Sequence, residues 1–262
     1  MAYQKIKLVI TGIATLFLIV ISWYFIDRFS FAKTQPYFQI NKTTQDNVLT
    51  VGIIGDSWVA GNKLDSMLHE KLLKKGQSNR IISSGKSSAR SKLIYQNLFK
   101  NNDIEHSSKF IIESQPEYCI VIAGVNDKAS RAGKNYYSFH VIQIIKTLLH
   151  YKIKPVVVSL PEFDVVKTID DMNFLFKTRT YISAKINNDA ETDNIKTYRA
   201  FLNSELQRTN LSDSVILIDF NKVCPDYLKC KGLYKDSAHL SKLGNEKLTE
   251  VIASELIEKI KF

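Results

Sequence analysis

Five short apolar runs, at about Leu49–Ile54, Arg80–Ser83, Tyr118–Ala123, Pro155–Leu160 and Val215–Phe220, are separated by longer stretches of helical periodicity. Strands joined through helices run parallel, and the helices then cover both faces of the sheet. The intervening stretches carry the stripes that such covering needs. Leu64, Leu68 and Leu72 recur at i+4 with Met67 beside them and Gly76 at the stop. Leu248, Ile252, Leu256 and Ile260 repeat the pattern after Ser241, a candidate N-cap. These stripes are core faces, and a chain of 262 residues has room for one such α/β domain with appendages.

The first appendage precedes the domain. Residues Leu8 to Ile26 hold no charge, and 19 residues at about 1.5 Å each nearly cross a ~30 Å hydrocarbon core. The reading is a membrane anchor over residues 1–27. Lys5 and Lys7 on its short N-terminal side predict that this end stays cytoplasmic and that the rest is exported. Ser30-Phe31-Ala32 has the small-x-small form of a cleavage site, so a removed signal peptide is the competing reading; the apolar run is longer than a signal core, which favours the anchor. No polar face interrupts the run, against a buried soluble helix. Residues 28–47, polar and aromatic around Pro36, read as a linker or strap, and residues 48–262 as the domain.

An excess of 36 Lys and Arg over 26 Asp and Glu gives +10. Nucleic acid, an anionic membrane surface or an acidic polymer would each suit that sign. The lysines are spread without an aromatic-interleaved basic block, so the reading is a basic solvated surface and no nucleic-acid partner. Cys119 sits in the run Tyr118-Cys-Ile-Val-Ile-Ala-Gly124 and reads as a small buried hydrophobe. Cys224 and Cys230 lie in a polar segment, and in an exported domain that favours a disulfide; two free thiols remain the reading if the orientation is reversed. No third or fourth ligand stands at zinc-like spacing, so no metal is expected. The segment Glu162–Lys196 is the least regular, and is either an insertion near the substrate or a helix with a long turn.

Chemistry enters at Val51-Gly-Ile-Ile-Gly-Asp-Ser-Trp58, where an apolar run stops at Gly55-Asp56-Ser57 before a helical pattern. Parallel sheets bind ligands outside the carboxyl ends of their strands, and a serine in the first helical turn sits among unpaired N–H donors. Ser57 is the candidate nucleophile. A serine hydroxyl needs a base, and the base an orienting carboxylate. Asp236-Ser-Ala-His239, after the fifth run, supplies both. An ester under attack also needs donors for its carbonyl oxygen. The Ser57 and Gly85 backbone N–H groups and the Asn126 side-chain amide stand at the ends of successive runs.

Gly55-Asp56-Ser57, Gly85, Gly124-x-Asn126-Asp127 and Asp236-x-x-His239 resemble the four blocks of the SGNH, or GDSL, hydrolase superfamily, in its order and spacing from about Val48 onward. The resemblance implies a three-layer α/β/α sandwich of flavodoxin type, with a parallel sheet of about five strands. It implies Ser57 as nucleophile, His239 as base, Asp236 as its partner, and Ser57, Gly85 and Asn126 as the oxyanion hole, with no cofactor. The stretch from Cys224 to Leu243 is similar to SGNH domains attached to membrane acyltransferases that O-acetylate surface polysaccharides. This chain has one membrane segment and no multi-helix acyltransferase domain, so an acyltransferase is a partner it would need for that role. The function implied is a membrane-anchored extracytoplasmic serine esterase acting on an O-acylated carbohydrate or small ester. The rivals are O-acyl transfer at the same site, lipase or thioesterase action, and a silent glycan-binding protein. Trp58 departs from the general motif and either packs on the sheet or lines the acyl pocket.

Competing motifs fail on residue identity. Gly85-Lys86-Ser87 ends like a phosphate-binding loop, but Arg80 stands where that loop needs glycine. Ser57 has Asp56 and Trp58 beside it, and Gly61 is one residue too far for G-x-S-x-G. His69-Glu70 lacks the second histidine of a zinc protease.

Overall fold

The computed structural model describes residues 2–40, 48–61, 63–187 and 194–260, with backbone alone at residues 2–5, 8 and 23–29. The chain divides into two compact units, Met1–Phe31 and Ala32–Phe262. The first is the helix α1 (Ala2–Phe29), on which Val9, Ile10, Ile13 and residues 16–20 are exposed. Among the described residues no helix is long and apolar enough to cross a membrane. The span expected over residues 8–26 lies partly outside them, at the side chains of Leu8 and of residues 23–26.

In the second unit all five apolar runs become strands: β1 (Leu49–Gly55), β2 (Asn79–Gly85), β3 (Tyr118–Ile122), β4 (Lys154–Val158) and β5 (Ile216–Ile218). They form one parallel sheet in the order β2-β1-β3-β4-β5. β1 is buried at every residue, as a strand covered on both faces must be. The chain leaves β1 to one side and resumes at β3 on the other. That switch of direction opens a crevice at the carboxyl end of β1. Gly55 pairs with both Gly85 and Ile122, so three strands end level there.

The helices follow from the connections. α2 (Ser57–Ala60) and α3 (Leu64–Lys74) join β1 to β2; α4 (Ser91–Asn97) and α5 (Lys109–Glu113) join β2 to β3. α6 (Val125–Ala129) and α7 (Lys134–His150) lead to β4; α8 (Val165–Asp170), α9 (Phe174–Ile186) and α10 (Ile195–Arg208) lead to β5; α11 (Lys242–Ile260) follows. α3 packs with α11, and α7 with α4 and α10. Right-handed crossovers put α3 on one face and α4, α7 and α10 on the other, because leftward and rightward connections from one sheet fall on opposite faces; α11, which follows the last strand, joins α3. Leu64, Leu68 and Leu72 on α3 and Leu248, Ile252 and Leu256 on α11 are buried as expected. The Ser241 hydroxyl accepts from the Gly244 N–H at 3.3 Å at the start of α11.

Two stretches differ from a plain reading of the sequence. Glu162–Lys196 is largely helical, because Asp164, Asn173 and Asn194 each cap a new helix by accepting from the N–H three residues on, those of Lys167, Phe176 and Thr197. Residues 188–193 of its polar run lie outside the described residues. Of the stretch expected as linker or strap over 28–47, residues 32–40 are laid against the domain, and residues 41–47 lie outside the described residues. The N–H groups of Ala32, Gln35 and Phe38 donate to His140 Nε2, Tyr95 Oη and Tyr151 Oη at 3.0, 3.0 and 2.8 Å. Tyr37 stacks on His150 with centroids 3.7 Å apart. Cys224 and Cys230 form a disulfide with Cα atoms 5.8 Å apart, and Cys119 is free and buried.

Candidate active site

β1 ends at Gly55, and Asp56 turns the chain. Its N–H donates to Ile122 O at 3.3 Å, and its Oδ1 accepts from the Trp58 N–H at 3.0 Å as the cap of α2. Ser57 thereby becomes the first residue of a helix at the sheet's carboxyl edge, with its own N–H among the donors that a helix start leaves unpaired.

Ser57 Oγ lies 3.0 Å from His239 Nε2. His239 Nδ1 lies 2.9 and 3.0 Å from the two oxygens of Asp236. Two carboxylate oxygens around Nδ1 require a proton on that nitrogen, so Nε2 is bare and accepts the serine hydroxyl. Asp236 Oδ1 also accepts from the Ala238 and His239 N–H groups at 2.9 and 2.7 Å. Partial burial works against ionisation of Asp236, but those N–H groups and the imidazole outweigh it and hold the carboxyl below its usual range. Asp236 is thus held as an anion beside the His239 imidazole.

The loop carrying Asp236 and His239 is fixed from several sides. Lys235 N–H donates to His239 O at 2.9 Å, Asp164 N–H to Ser237 O at 2.9 Å, and the Trp58 indole N–H to Ala238 O at 3.0 Å. Trp58 is fully buried, so of the two places open to it from the sequence it takes the core and not a pocket wall. Tyr234, two residues before Asp236, donates to the Glu162 carbonyl.

Gly85 closes β2, where a Cβ would stand 2.5 Å from the Ala60 N. Only glycine lets that strand end come so near α2, which keeps its backbone beside the turn that carries Ser57. Asn126 is the second residue of α6, entered through Gly124 at φ 117°. Its amide donates to Ala89 O at 3.1 Å and to Asp56 Oδ2 at 3.3 Å. Asn126 therefore meets the turn that carries Ser57, and both of its amide hydrogens already have protein acceptors; the Asp56 bond, at 3.3 Å, is the longer of the two.

Two buried carboxylates behind the site were not singled out from the sequence. Asp56 is pushed up to about 7, first by burial and further by the Asp127 charge, against the Trp58 N–H and the Asn126 amide. Asp127 is raised by burial and holds Ser91 through its N–H and hydroxyl at 2.9 and 2.6 Å. The signal was their place in Gly55-Asp56-Ser57 and Asn126-Asp127, each just after an apolar strand; Asp56 caps α2 there, and Asp127 lies inside α6 and ties to Ser91. Among the described residues no group of His, Cys, Asp and Glu could hold a metal ion.

No protein-family profile matches the chain, and no curated protein matches it in sequence. Solved structures do match. An acetyl xylan esterase is similar at 18% identity with a TM-score of 0.54, over 80% of this chain and 99% of that one. The psychrotrophic esterase EstA from Pseudoalteromonas sp., inhibited by monoethylphosphonate, is similar at 12% identity with a TM-score of 0.57, over 82% and 100%. A GDSL-like lipase from Bacteroides thetaiotaomicron is similar at 13% identity with a TM-score of 0.51, over 81% and 88%. The chain has the fold of the SGNH/GDSL hydrolases.

Proposed function

We propose that the protein is a serine esterase, tethered to a membrane by residues 8–26 with its domain on the extracytoplasmic side, that removes O-acyl groups, O-acetyl foremost, from a carbohydrate or small ester. The observation that carries the chemistry is the hydrogen-bonded series from Ser57 Oγ to His239 to Asp236. Ser57 Oγ attacks the acyl carbon while its proton passes to His239 Nε2. The carbonyl electrons move onto oxygen, where the Ser57 and Gly85 N–H groups and the Asn126 amide are the candidate donors. Collapse expels the alcohol, which takes the proton from His239. Water then attacks the acyl-serine, gives its proton to His239, and releases the acid as Ser57 is reprotonated.

The acetyl group rests on the likeness to an acetyl xylan esterase and on the resemblance of the stretch Cys224–Leu243 to O-acetylating systems. The tether rests on the uncharged run Leu8–Ile26 and its orientation on Lys5 and Lys7. That same resemblance favours one second reading, in which a sugar hydroxyl replaces water and a membrane acyltransferase supplies the acyl group.

Ser57→Ala abolishes turnover of a chromogenic acetate ester, a loss on the order of 10⁴–10⁶; unchanged hydrolysis in that variant refutes the mechanism. Mass analysis of protein, acyl donor and candidate glycan separates the two outcomes: acetate release alone is hydrolysis, and an acylated glycan is transfer. A reporter fused after Phe262 that works only in the cytoplasm reverses the orientation.

A further inference from the structure

We propose that Trp58 is a positioning residue of this site, whose indole N–H keeps the acid–base loop in register with the nucleophile turn, above all while the acyl-enzyme is hydrolysed. The proposal rests on Ser57 being the nucleophile. Among the described residues two hydrogen bonds join the turn Asp56–Ala60 to the loop Lys235–Leu240: Ser57 Oγ to His239 Nε2, and Trp58 Nε1 to Ala238 O, both 3.0 Å. The two behave differently during turnover. Once Ser57 Oγ is bonded to the acyl carbon, its hydrogen has gone to His239 and then to the leaving alcohol. The first link has no donor left on the serine side. The second involves no reacting atom and persists.

At that stage His239 has to take a proton from water, and Ala238 is its immediate neighbour. The indole is well placed to act as a fixed rod. Trp58 is 0% exposed, its backbone N–H is held by the Asp56 cap, and the Ala238 it reaches is itself buried. An apolar residue of similar bulk would fill the core equally well and leave the Ala238 carbonyl without this donor. Loss of a single donor loosens the alignment of base and acyl carbon without touching the ester-binding surface, so deacylation slows, and kcat falls while kcat/KM, set by binding and acylation, is kept.

The test uses the full-length chain in detergent micelles, in a Trp23→Phe background so that Trp58 is the sole tryptophan. Trp58 is replaced by 3-benzothienylalanine, which has sulfur in place of the ring N–H and nearly the same shape. With p-nitrophenyl acetate as probe, kcat falls about tenfold and KM falls with it, so that kcat/KM, which reports acylation, stays within about twofold. The first turnover becomes visible as a stoichiometric burst of nitrophenol, because deacylation slows more than acylation. Packing alone would not produce that burst. Trp58→Phe, which also lacks the donor, reproduces the same split, with near-UV circular dichroism verifying that it folds. A kcat within twofold of the parent and no burst in the isosteric variant overturns the proposal. If Ser57→Ala is inactive and the isostere behaves as the parent, the positioning role alone falls; if Ser57→Ala keeps its activity, the site reading and this inference fall together.

Discussion

His140 makes a prediction about acid stability that can be worked through in numbers. It lies on α7 with none of its surface exposed, its Nε2 accepting from the Ala32 N–H at 3.0 Å and its Nδ1 facing the Tyr136 carbonyl at 2.7 Å. The imidazole serves both neighbours only when neutral, with the proton on Nδ1. Burial, opposed by the Tyr136 carbonyl and reinforced by the charges of Lys92 and Arg90, lowers it from 6.5 to about 3. A histidine whose folded value is depressed contributes its full stability above its unfolded value and loses it as pH falls from there toward the folded value. The window is therefore about pH 6.5 down to about 3. At pH 5 the unfolded chain binds the proton and the folded one does not, and the two values give a loss of about 2 kcal/mol relative to pH 7.5. Urea unfolding of the parent and of His140→Gln, followed by near-UV circular dichroism at pH 7.5 and pH 5, measures it. Glutamine keeps an acceptor for Ala32 and does not titrate, so all other groups cancel in the difference. The parent loses about 2 kcal/mol more than the variant. Equal losses refute the argument that a neutral His140 pins residues 32–40.

Three further outcomes follow from the site. Asp236→Asn leaves the loop folded and presents His239 in the wrong tautomer, so kcat for an acetate ester falls about 10⁴-fold; a loss under tenfold removes Asp236 from its role. Asn126→Ala lowers kcat by about 10²–10³ if its amide turns from Asp56 to the developing oxyanion; a loss below threefold leaves it a structural tie between Asp56 and Ala89. Replacing both Cys224 and Cys230 with serine, which opens a loop of sequence separation 6, costs about 2 kcal/mol in urea unfolding. An unchanged midpoint there means the 3-10 turns around Tyr227–Leu233 hold the loop without help from sulfur.

The sheet could be read from the sequence because its central strands are buried on both faces and so appear as apolar runs; β1, buried at every residue, is the clearest instance. The relay could be read because its carboxylate and imidazole sit three residues apart and follow the last strand. What escaped was set by contacts distant along the chain. The partner of the Trp58 indole lies 180 positions on, and no local pattern announces it. Asn126 was recognisable as a donor, but not that Asp56 and Ala89 already take its hydrogens. α9 was obscured for another reason: Phe174 and Leu175 are 79% and 76% exposed, so its apolar residues mark no buried stripe.

Ser57 and His239 stand 182 positions apart, one after the first strand and the other before the last helix. On the proposed reading, the nucleophile is therefore made with the first strand of the domain, and its base only after the fifth strand has followed. If the proposed site holds, the serine is an ordinary alcohol until the loop Lys235–Leu240 has closed against Trp58. Under that reading esterase activity reports closure of the domain: a nascent domain that still lacks the loop Lys235–Leu240 is chemically mute.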